Sequence, residues 1–101
     1  MKIRIPIYAK QEARDGLATR KLLSKTKKFG LNKTQAKISG VRSGVEQAKK
    51  LIRRKLLTKQ EALAYYRFYQ RFKACKKSKC EGALKLWGGR RFGKMLSNAL
   101  N

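Results

Sequence analysis

The stretch 58–77, TKQEALAYYRFYQRFKACKK, constrains the fold more than any other part of the chain. It holds three of the four tyrosines and two of the four phenylalanines, so a core must be assembled around it. Thr58 followed by Glu61 is a capping box: the hydroxyl accepts from the Glu61 N–H, and the carboxylate reaches back to the Thr58 N–H. At about 100° per residue, Ala62, Tyr65, Tyr66, Tyr69 and Phe72 share one broad face, with Phe68 and Cys75 at its border. Arg67 and Arg71 fall on the opposite face. The simplest reading of the aromatic face is core. The functional alternative is that one or two of the tyrosines stack on bases. Five aromatics crowd one face, so Phe68 or Tyr65 is expected to be partly exposed.

A chain of 101 residues makes one domain with one modest core. Its 28 Lys and Arg stand against 5 Asp and Glu, a formal charge of +23. Such a surface repels itself and needs a polyanion partner. DNA, RNA and an anionic membrane are the candidates. Apolar residues are interleaved with charge throughout and no run is long enough to span a bilayer, which sets the membrane aside. The basic, apolar start is too short for a signal segment. The expected location is therefore the cytoplasm of a host cell, or a virion in which the protein is packaged with nucleic acid.

Ile3, Ile5 and Ile7 alternate with Lys2, Arg4 and Pro6, the period of a strand, and Pro6 confines it to an edge. With no clear partner strand elsewhere, residues 1–9 read as an extended basic arm, followed by a single helical domain over 10–101. From Lys10 to Lys28 the pattern is helical. Ala18, Leu22 and Phe29 form its candidate stripe, with Ala13, Leu17 and Leu23 nearby, and Lys21, Lys25, Lys27 and Lys28 make its second half cationic. Gly16 points to two pieces or a frayed helix. Asn32 with Gln35 starts a short helix that Gly40 can end. Ser43 with Glu46 is a second capping box, opening a helix to about Lys55 with Val45, Ala48, Ile52 and Leu56 inward. The resulting fold class is all-α, a small bundle of 4–5 short helices.

On that helix Lys49 with Arg53, and Lys50 with Arg54, are like-charge pairs one turn apart, each costing a few tenths of a kcal/mol. Phosphate would neutralise them. Further along, Leu84, Trp87 and Phe92 read as a clasp closing the core, and Gly88-Gly89 as a helix end. Arg90 and Arg91 at that bend form a candidate phosphate cradle. Cys75 and Cys80 read as two reduced thiols; two thiols without histidine cannot close a zinc site. No metal or other cofactor is implied. The chain has no histidine and five carboxylates, of which Glu46 and Glu61 serve as caps, so no enzyme reading stands.

Two resemblances follow. Ala36, Gly40, Val41 and Val45 are similar to the centre of a helix-turn-helix, with Ser43–Arg54 as recognition helix, although its apolar residue sits one position early, at Val45 rather than Glu46. The second spans roughly residues 13–93 and rests on Gly16-Leu17, Gly44-Val45, Ala48, Leu51, Phe68-Tyr69, Arg71 and Leu86-Trp87-Gly88-Gly89, with Gly93 after. This pattern resembles small helical domains that recur in bacteriophage and bacterial open reading frames. The resemblance implies a helical fold and a phage or mobile-element origin, without supplying an activity. Those domains carry a His where this chain has Phe72, and an acidic residue where it has Arg90.

The expected function is nucleic-acid binding, DNA before RNA, through phosphate contacts. The candidate residues are Arg42, Lys49, Lys50, Arg53, Arg54, Arg67, Arg71, Arg90 and Arg91. Two alternatives differ in partner: an RNA-binding protein of ribosomal type, and a virion component or inhibitor that binds an acidic host protein.

Overall fold

Ile3 and Ile5 alternate with charged residues because one face of the segment is buried. The computed structural model, which describes residues 2–23, 28–40 and 42–100, shows what covers it. Strand β1 (Lys2–Arg4) pairs antiparallel with β2 (Leu56–Thr58), in the register Lys2 to Thr58, Ile3 to Leu57 and Arg4 to Leu56. Ile3, Ile5 and Leu57 are all buried. The expected extended arm is thus half of a two-stranded sheet. Its partner went unrecognised because three residues between two helices carry no visible period.

Pro6 then caps the first helix, α1 (Ile7–Leu22), which runs unbroken through Gly16. Its buried positions are Ala9, Ala13 and Gly16, not the expected Ala18 and Leu22, which are exposed. These small residues let α1 lie close on its neighbours: a Cβ at Gly16 would stand 3.1 Å from the Lys85 Cβ. Lys25 and Lys27 lie outside the described residues, as does Val41.

Five further helices follow: α2 (Lys33–Ser39), α3 (Gly44–Arg53), α4 (Lys59–Phe72), α5 (Ser78–Leu86) and α6 (Gly89–Leu100). The described residues therefore form six helices rather than 4–5, because the tail forms one helix with Gly89–Phe92. The caps lie where the sequence places them. Asn32 and Gln35 close a capping box, as do Thr58 and Glu61, and Gly40 ends α2 at φ 69°. Ser43 accepts from the Glu46 N–H, while the Glu46 carboxylate turns instead to Lys49.

Helix α1 packs on α3 and α5, and α4 packs on α6. The core between them includes Tyr65, Phe92, Leu51, Leu57, Leu86 and Leu96, all under 2% exposed. Tyr65 stacks edge-on against Trp87 and Phe92, and its hydroxyl donates to the Gln47 carbonyl at 2.8 Å. Burial drives its phenol strongly upward from the ordinary value, so it stays protonated. The expectation that Phe68 or Tyr65 would be partly exposed is overturned: both are buried, and Tyr66, Tyr69 and Phe72 are half-buried. Tyr69 lies against Gly93 of α6, where a Cβ would come within 2.2 Å of its ring.

Gly88 and Gly89 both take positive φ, at 99° and 85°, and turn α5 into α6 within two residues. Leu84, Trp87 and Phe92 close the core there, as the clasp reading expects. Cys75 and Cys80 are joined in a disulfide rather than free. The bond closes the turn between α4 and α5, where the short spacing brings the two side chains together.

Candidate nucleic-acid interface

The candidate cations fall into three groups, set by the elements that carry them. The first group stands at the end of α3. Lys50 and Arg54 both pair with Glu61 at the start of α4, Lys50 at 3.3 Å. Burial pushes the Glu61 carboxyl up, but the Thr58 N–H, Arg54 and Lys50 outweigh it and hold the group at about 2, below the ordinary 4.5. The like-charge crowding on α3 is therefore relieved internally. Lys49 is more open and pairs with Glu46 at 3.6 Å. Arg53 is exposed and takes part in none of the described ion pairs.

Lys10 belongs to this region and was not singled out by the sequence. Its ammonium donates to the Leu51 carbonyl at 2.8 Å, the Ile52 carbonyl at 3.2 Å and the Arg54 carbonyl. These carbonyls end α3, where a cation is favoured by the helix dipole. Burial, with Arg14 and Lys55 nearby, lowers its pKa from the ordinary range.

The second group is the Arg90–Arg91 bend. Arg90 donates to Glu81 with two nitrogens, and to the carbonyls of Lys73 and Cys75, the latter at 3.0 Å. Hydrogen bonding from Arg90 lowers the Glu81 pKa from its ordinary value. This guanidinium ties α6 to α5 and to the end of α4, leaving little of it for a ligand. Arg91 is exposed and lies over the Tyr8 ring, 4.1 Å from its centroid.

The third group comes together around a groove of about 770 Å³. Along α4, Gln60, Ala64, Arg67, Phe68, Arg71 and Phe72 form one wall. The lining also includes the segment from Lys28 to Leu31, Arg42 and Gly44, and Lys79 and Cys80. That segment is pinned: Arg20 Nε donates to the Phe29 carbonyl at 2.8 Å and Ser43 Oγ to the Leu31 carbonyl at 2.6 Å. Inside the groove Phe68 is stacked on Trp87 at 4.4 Å and on Phe72 at 4.5 Å between ring centroids. Arg71 stands over both phenylalanine rings, 5.8 Å and 6.0 Å from their centroids. Five cations and no carboxylate are among the described lining residues.

Arg42, Arg67 and Arg71 are thus brought together, apart from the other candidates. Lys28 and Lys79 join them unforeseen. The signal was present: the positions 60, 64, 67, 68, 71 and 72 follow helical spacing, so the cationic side of α4 meets Phe68 and Phe72 along one edge. Reading the two faces as opposed concealed that edge. The tyrosines weighed as an alternative for base stacking are not among the described lining residues.

For the helix-turn-helix reading, α2 and α3 are both present and Gly40 lies between them. Gly44, Gln47 and Ala48 of α3 are buried, and α2 is not packed extensively on α3. Among the described residues, no three Cys, Asp or Glu side chains gather as a metal site, and no helix is long and apolar enough to cross a membrane. No protein-family model, no curated protein and no solved structure matches the chain.

Proposed function

We propose that this chain is a nucleic-acid-binding protein of phage or mobile-element type, which grips DNA in preference to RNA, mainly through phosphates. The observation that carries the reading is the charge left unpaired. Of 28 cationic side chains, four are held in the described ion pairs, and these already engage three of the five carboxylates. A nucleic acid releases its condensed counterions to such a surface, and affinity falls steeply with salt. Phosphate contacts come from the exposed members of the set: Arg42, Lys49, Arg53, Arg67, Arg71 and Arg91. The buried start of α3 favours backbone contact over insertion of that helix into a groove of the duplex.

A salt titration of binding to duplex DNA, single-stranded DNA and RNA tests the reading. Each strand type should bind at low ionic strength with a steep negative slope, DNA more tightly. Arg53→Gln should reduce that slope by about 1 for each type and leave the melting temperature unchanged. Failure to bind any of the three at low ionic strength would overturn the proposal.

A further inference from the structure

The groove beside α4 holds more apolar surface than phosphate contact requires. Phosphates need donors and charge, which the exposed arginines supply from any convex surface. Here cations instead border a recess lined by aromatic rings and by the small residues Ala64 and Ala83. Phe68, Phe72 and Trp87 are all among its lining residues. A flat, apolar-faced, anion-flanked group matches both parts: an unpaired nucleobase on the rings, with its own phosphates on the arginines. Within a duplex the bases are stacked on one another and cannot enter.

We propose that this groove binds an unpaired base of a single DNA strand. The base lies against Phe72, the half-buried ring of the Phe68–Phe72–Trp87 stack, and Arg42, Arg67 and Arg71 take the flanking phosphates. Arg71, already above the rings, serves the base face as well as the backbone. The volume suits a small planar group rather than a protein domain. The described lining holds no carboxylate, which matches a polyanion and leaves a basic ligand without a partner. The inference rests on the nucleic-acid reading above and adds strandedness and base contact to it.

Trp87 is the single tryptophan, so its fluorescence reports on the groove directly. Binding of a thymidine oligonucleotide, the same strand made abasic, and a duplex should be followed by Trp87 emission and by anisotropy of labelled strands. The thymidine strand should quench Trp87 and bind about tenfold more tightly than the abasic strand. Ala64→Leu fills the recess without removing charge and should abolish that difference. Phe72→Ala, at a half-buried position, should reduce the difference and serves should the first variant misfold. Equal affinity for thymidine and abasic strands would overturn the groove assignment and leave phosphate binding standing. No binding of any strand would sink both. Quenching by an acidic amphipathic peptide, with none by the thymidine strand, would also overturn it and assign the groove to a protein partner.

Discussion

Glu61 does three things with one carboxylate: it caps α4, and it neutralises Lys50 and Arg54 on the preceding helix. Its folded pKa of about 2 lies below the ordinary 4.5, so its contribution is fully present above pH 4.5 and is lost as pH falls toward 2. Glu61→Gln keeps an amide oxygen for the Thr58 N–H but loses the charge. It should cost about 1–3 kcal/mol at pH 7. Denaturation of both proteins across pH 7 to pH 2 checks this, because the gap should close at the acid end. Lys10→Met removes a donor shared by the Leu51, Ile52 and Arg54 carbonyls at the end of α3 and should destabilise by about 1–3 kcal/mol. Faster hydrogen exchange should appear first in the last turn of α3. Arg54→Ala, which strips Glu61 of a partner, should lower the melting temperature where Arg53→Gln does not.

The turn between α4 and α5 is fastened at two points, the Cys75–Cys80 disulfide and the Arg90 guanidinium. Replacing both cysteines with serine releases a short loop and should cost about 2 kcal/mol, measured by thermal melting. Arg90 still holds the backbone there, so the double variant should keep its helix content. What the sequence made legible at this scale was local chemistry. Asn32, Gly40, Ser43, Thr58 and the Gly88-Gly89 pair mark their boundaries because each acts on backbone groups a few residues away. Pairings between distant segments were not legible. Leu57 gives no hint that Ile3 lies opposite, and Gly82 none that the Phe29 ring fills its missing side chain, within 2.3 Å of where a Cβ would stand. The candidate site was half legible for the same reason. Arg67 and Arg71 stood out as a pair, but part of the lining they share comes from a distant upstream segment, Lys28 to Leu31.

At the scale of the whole molecule, +23 charges on a body of 39 × 26 × 24 Å set two opposed salt effects. In the free protein, salt screens self-repulsion, so the melting temperature should rise between low and moderate ionic strength. With an oligonucleotide present at about 100 times its dissociation constant, the bound ligand adds about 2.7 kcal/mol at low salt. That increment should shrink as salt is raised and binding weakens. Melting curves with and without oligonucleotide should therefore converge with increasing salt, and parallel curves would count against nucleic acid as the partner.

The seam of Ala9, Ala13 and Gly16 along α1 has a bearing on how such a surface can change. Contact made by methyl groups and bare backbone tolerates almost no substitution, since any larger side chain would pry the helices apart. The outward positions of the same helix, Arg14, Asp15 and Lys21 among them, bear none of that constraint. Polarity on this flank can therefore be rewritten while the inward line stays fixed, so the charge of the molecule can be changed on α1 without disturbing the scaffold.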